Sequence, residues 1–171
     1  MTPKRIDQFT RELVLNRLAP VGPPERVDSR RLAYASGGAR FIIRTANQKT
    51  CWPSSRVPDK RLHWTKFDED VSAIEAHERD AERAGQQMTI VLATYFPDDG
   101  EVCCWTIPFR VLRPALGHDA LYIREEGGRH VAEIRNEGRP LGGLDLREYL
   151  MRFELTASEL ETVREIQDRE D

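Results

Sequence analysis

The sequence predicts an α+β domain, a mixed α/β arrangement with one central sheet built from hairpins and flanked by helices, and three observations carry that expectation. Strand-forming runs meet in pairs at turn signals: Ser36-Gly37-Gly38, Pro97-Asp98-Asp99-Gly100 and Gly127-Gly128. Segments of helical period, with caps or stops, stand before, between and after those runs. A length of 171 residues at 39% hydrophobic content suits a single core of useful size. The expected organisation is an N-terminal helix and linker over 1–22, one α+β domain over 23–154 with a basic loop at 45–66, and a C-terminal helix over 155–171.

Each element has a local reason. Residues 5 to 18 place Ile6, Phe9, Leu13 and Leu18 near helical spacing and stop before Pro20, after which VGPPE reads as a linker. RRLAYA and ARFIIRT then form a hairpin. Between Thr45 and Lys66 two prolines, serines and the lack of any period predict a long loop or broken strand. Loops beyond about 12–15 residues are uncommon in compact domains unless they are functional or disordered. The spacing Thr65-Lys66-Phe67-Asp68 resembles a capping box and predicts the start of a charged helix ending at Gly85, with little beyond Val71, Ile74, Ala81 and Ala84 to face inward. MTIVLATYF and EVCCWTIPFRVL form the second hairpin, ALYIREE and HVAEIRN the third. A short helix is expected at LDLREYLMRF, and a longer one follows Thr156, where caps overlap at Thr156/Glu159 and Ser158/Glu161.

Composition narrows the function classes. No apolar run approaches the roughly 18–20 residues needed to cross a bilayer, and MTPKRIDQFTRELVLNRL lacks the apolar stretch of a secretory signal. A cytoplasmic protein is expected. Three cysteines, Cys51, Cys103 and Cys104, give an odd count with two adjacent, so they are read as reduced thiols and not as a disulfide framework.

The formal net charge of −3 hides a segregation along the chain. Residues 26–66 hold ten basic side chains against two acids, while residues 67–171 hold twelve arginines, no lysine and twenty-four acids. Asymmetry of this kind points to a polyanion-binding face or to two surfaces that attract each other. In the first reading Arg40, Arg44, Lys49, Arg56, Lys60, Arg61 and Lys66 displace counterions from phosphates, and Trp52, His63 and Trp64 stack on exposed bases. In the second, Trp52, Trp64 and Phe67 anchor the loop in the core while its cations pair with Glu69, Asp70, Glu78 or Glu82. A nucleic-acid partner, DNA favoured over RNA, follows from the first; a protein partner or homodimer using the acidic half follows from the second.

A hairpin whose second strand carries RFIIRT, then an irregular basic stretch, a helix, the apolar strand TIVLATYF and a strand ending WTIP resembles the core of the PD-(D/E)xK nucleases of the restriction-endonuclease-like fold, over about residues 30–112. That resemblance is topological. It implies DNA binding, in a defence-associated setting, and a metal site built from acids on adjacent strands with a lysine that orients the attacking water. FIIRT, however, puts Ile42 where the metal-binding glutamate belongs and Arg44 where the lysine belongs, so the expectation is a domain without catalysis and without cofactor. An active nuclease would have to draw its acids from elsewhere, such as Asp28, Asp98 and Glu101.

Other constellations carry less. Cys51, His63, Cys103 and Cys104 lack the spacing of a zinc site, and adjacent cysteines in a strand point to opposite faces. No local signature supports a cysteine nucleophile served by His63, His77, His118 or His130. Gly37-Gly38, Gly127-Gly128 and Gly142-Gly143 are turns without phosphate-loop spacing.

Overall fold

The computed structural model describes residues 5–19, 22–28, 32–47, 65–67, 71–96, 100–113, 120–126, 129–136, 139–145 and 147–170. Among them the class is α+β, around a six-stranded mixed sheet. Helix α1 (Ile6–Leu18) precedes a three-stranded antiparallel meander of β1 (Glu25–Asp28), β2 (Ala33–Ser36) and β3 (Ala39–Asn47). After β4 (Thr65–Phe67) and α2 (Val71–Arg83), β5 (Gln87–Phe96) lies parallel to β3, with Ile42 opposite Ile90 and Arg44 opposite Leu92. β6 (Glu101–Pro108) returns antiparallel to β5, and α3 (Phe109–Leu112) follows it directly. β7 (Ala120–Glu126), β8 (Arg129–Asn136) and β9 (Arg139–Asp145) form an antiparallel meander, joined by β4 into a second, four-stranded sheet. A 3₁₀ turn at Arg147–Tyr149 leads into β10 (Leu150–Glu154), which closes the six-stranded sheet beside β6, and α4 (Ala157–Glu170) completes the described chain.

The strand period sorts the core into two layers. On one face Ile42, Ile90, Leu92, Trp105 and Ile107 pack with Ile74 and Ala81 of α2 and with Phe109 and Leu112 of α3. On the other, Phe41, Ile43, Val91, Ala93 and Tyr95 pack with Phe9, Val14 and Leu15 of α1 and with Val163 and Ile166 of α4. β5 is buried on both faces from Ile90 to Phe96, which is why MTIVLATYF reads as an unbroken apolar run. Each fully buried Ile or Leu contributes about 1.5–3 kcal/mol relative to exposure. Both terminal helices thus share the core of the sheet.

Local signals act where expected at several ends. Gly85, at φ +66, follows α2 in the left-handed region that a residue with a β-carbon adopts at a cost. The Thr156 hydroxyl accepts from the Glu159 amide at 3.2 Å while the Glu159 carboxylate accepts from the Thr156 amide at 2.9 Å, a complete capping box at α4. Of the four apolar residues expected inside α2, Ile74 and Ala81 are buried but Ala84 is exposed.

Other expectations are corrected. Thr65–Phe67 do not cap α2; they pair with Ile123, Tyr122 and Leu121 as β4, and the helix begins at Val71. FRVL is not strand: the chain turns into α3 after Pro108, whose ring fixes φ at −54 and removes a donor. LDLREYLMRF is not helical along its length. Met151 and Phe153 instead stand opposite Cys104 and Val102 in the sheet, where pairing with the open edge of β6 overrides a weak helical pattern. The linker VGPPE runs into strand at Glu25, opposite Ala35, and RPLGGLD forms β9 against β8.

Candidate nucleic-acid interface

Only part of the basic segment lies within the described residues. Arg40 and Arg44 occupy one face of β3 with Ile42 between them, and Ile42 is 1% exposed under α2. The two guanidiniums therefore belong to opposite ends of the strand. Arg40 Nε donates to Gln86 Oε1 at 3.1 Å, and Gln86 Nε2 donates to the Gly37 carbonyl at 3.4 Å, tying this arginine to the β2–β3 turn and to the joint between α2 and β5. Arg44, half-buried, donates from Nη1 to the Ile43 carbonyl at 2.9 Å. Lys66 lies in β4. Lys49, Trp52, Arg56, Lys60, Arg61, His63 and Trp64 fall outside the described residues.

That stretch follows in sequence the carboxyl end of β3 at Asn47, and the parallel neighbour β5 ends on the same side at Phe96. In open, mostly parallel α/β sheets ligands bind outside the carboxyl ends of the strands; here one parallel pair, β3 and β5, presents such an end. Arg44 is the described cation closest along the chain to that end of β3.

Among the acids named in the pairing alternative, Glu78 is ion-paired with Arg113, beyond α3, whose guanidinium also lies 5.6 Å from the centroid of the Phe109 ring. Glu82 is exposed, and Glu69 and Asp70 lie outside the described residues. Glu78 and Glu82 line a groove of about 560 Å³ with Gln86, Met88, Phe109 and Arg110. This groove sits at the amino end of β5, opposite the end where the basic stretch departs, and its carboxylates make it a poor seat for a polyanion. A smaller recess of about 270 Å³ between α1 and the β1–β2 hairpin is lined in part by Arg11, Arg26 and Tyr34, with the Arg26 guanidinium 5.8 Å from the Tyr34 ring centroid.

The alternative nuclease acids do not converge. Asp28 ends β1 and Glu101 opens β6, so four inter-strand steps, about 19 Å at sheet spacing, separate them before any offset along the strands is counted. Asp98 lies outside the described residues. Asp28 Oδ2 instead lies 3.0 Å from His77 Nε2, fastening β1 to the middle of α2. His77 Nδ1 is buried and has no hydrogen-bond partner among the described residues. The sequence held one signal for this pair: His77 follows Ile74 by three residues and so shares the inward stripe of α2. Nothing local pointed to Asp28 as its partner. No cluster of three or more His, Cys, Asp or Glu side chains suited to a metal occurs among the described residues.

Cys103 and Cys104 are both free thiols and both buried. Cys103 Sγ lies 3.7 Å from Glu101 Oε1, while Cys104 sits on the opposite face among Val102, Ala93 and Phe153. Burial, aided by the neighbouring Cys103, pushes the Cys104 thiol far above its ordinary range, so it stays protonated and is no nucleophile at neutral pH. Native protein is accordingly expected to resist iodoacetamide at both positions, with labelling after denaturation. Peptide mass spectrometry reads this directly, and rapid native labelling of Cys104 would contradict its burial.

Compared with protein-family models, with curated proteins and with solved structures, the chain matches none of them.

Proposed function

We propose that this chain is a nucleic-acid-binding domain without catalytic activity, with DNA as the favoured ligand, on a sheet that resembles the restriction-endonuclease-like core. The observation that carries the reading is the concentration of seven cations against one acid between Arg40 and Lys66, four of which, Lys49, Arg56, Lys60 and Arg61, follow in sequence the carboxyl end of β3 in its parallel pair with β5. Polyanion binding needs several cations close enough to release counterions together. The adjacency of β2, β3, β5 and β6 in one sheet, with α2 between β3 and β5 along the chain, supports the resemblance, although β4, a strand of the other sheet, interrupts that order. The burial of Ile42 in the core layer under α2 supports the lack of catalysis, because the resemblance places a metal-binding glutamate at that position.

A gel-shift titration with duplex and single-stranded DNA, between about 50 and 200 mM salt, tests the reading. Each phosphate neutralised contributes about −0.9 to the slope of log affinity against log salt on duplex DNA, so a steep slope is expected. A slope near zero, or no shift at low salt, would sink it. The same samples with magnesium or manganese are expected to leave the DNA intact; cleavage lost on changing Glu101 would overturn the non-catalytic part.

A further inference from the structure

The two edges of the six-stranded sheet are built differently. β1, at one edge, is four residues long, follows Pro23-Pro24 and shifts register between Arg26 and Asp28, features that discourage another strand from adding. β10, at the other, keeps an unbroken register with β6 over five residues, contains no proline, and leaves Met151 40% exposed. The Leu155 amide donates to the Gly100 carbonyl at 3.0 Å, which orients the backbone groups of Met151, Phe153 and Leu155 toward β6. By the alternation of a strand, the N–H and C=O groups of Arg152 and Glu154 point away from the sheet. Both side chains are exposed.

We propose that β10 pairs antiparallel with β10 of a second copy of this chain, about a twofold axis at Phe153, so that Arg152 of each copy stands opposite Glu154 of the other. Charge selects this register. Centring the pairing on Arg152 or on Glu154 sets like charges directly opposite, which destabilises a sheet, whereas centring it on Phe153 forms two opposite-charge pairs. The same register joins the outward backbone groups of Arg152 and Glu154 in closely spaced hydrogen-bonded pairs. On the other face of the sheet it brings the exposed Met151 against Leu155 of the second copy. Within one copy Glu154 stands opposite Glu101 across the β6–β10 ladder, and a second copy's Arg152 would add a cation on the other side of Glu154. This inference is independent of the nucleic-acid reading.

An edge of five residues makes a small interface, so a weak dimer is expected, with a dissociation constant of about 10–100 μM. Sedimentation equilibrium should show species of one and two 19.7 kDa chains in exchange. Arg152→Glu and Glu154→Arg should each weaken dimerisation at least ~10-fold, and the double exchange should restore it to within a few-fold of the parent. If a charge variant loses its circular-dichroism signature, Met151→Lys reads the same interface and should also yield monomer. A parent chain monomeric up to about 500 μM, a dimer indifferent to all of these changes, or a double exchange that fails to restore would overturn the proposal. The first of these results would leave the edge to a strand from a different protein.

Discussion

Replacing Ile42 by glutamate is expected to unfold the domain, not to create a nuclease. Ile42 is 1% exposed, enclosed by Ala33, Ile74 and Ile90, and held in the β3–β5 register opposite Ile90. The substitution forfeits the transfer energy of a buried isoleucine, about 1.5–3 kcal/mol, and places a carboxylate without partner among apolar side chains. Together these terms reach at least about 5 kcal/mol, comparable with the whole stability of about 5–15 kcal/mol for a typical domain. Urea titration followed by far-UV circular dichroism should find the Ile42→Glu chain largely unfolded or with its midpoint sharply lowered. Ile42→Val, which removes a single methyl, should cost only about 0.5–1.5 kcal/mol. An Ile42→Glu protein as stable as the parent, with magnesium-dependent cleavage, would mean that position 42 faces a site and would refute the non-catalytic reading.

The triple substitution Arg56→Ala, Lys60→Ala and Arg61→Ala is expected to weaken DNA binding across all sequences and to make the salt slope shallower by up to about 2.7, since each phosphate that is no longer neutralised removes about 0.9. Uniform weakening is the signature of backbone recognition, because phosphates carry no sequence. On that reading the three cations face the polyanion, and the fold should survive, since exposed charges usually contribute within about ±0.5 kcal/mol each. The competing reading, in which the same cations neutralise the acids of α2, makes the opposite forecast. Removing them would then leave like charges adjacent, lowering the melting temperature at low salt and letting high salt restore part of it. Glu78 already has Arg113 as its partner, which leaves fewer acids of α2 for the loop to neutralise. A triple variant that melts earlier yet binds DNA as the parent does would assign the loop's charge to the protein's own architecture.

What the sequence by itself determined were the elements whose causes are local. The turn signal Ser36-Gly37-Gly38 ends β2 and places Gly37-Gly38 between β2 and β3, Gly85 stops α2, Thr156 and Glu159 cap α4, and the apolar run of β5 reports a strand buried on both faces. Each of these rests on interactions within a few residues, or on burial so complete that any partner would impose it. The concentration of cations between residues 26 and 66 was legible for the same reason, since a charge count needs no partner. Tertiary structure alone decided the pairings between distant segments. β3 lies parallel to β5 although α2 and the basic stretch separate them, and β10 is strand because β6 offers an unpaired edge; LDLREYLMRF had no means of signalling that edge. Lys66 belongs to β4 because β7 lies beside it, Arg40 is held by Gln86, and Asp28 meets His77, each across more than 40 residues of chain. A strand is stabilised mainly by the neighbours that satisfy its backbone and cover its faces, and those neighbours are chosen by the whole chain. For the same reason Ile42 could be seen in the sequence as a missing glutamate, but only the packing of α2 over β3 made it a core residue.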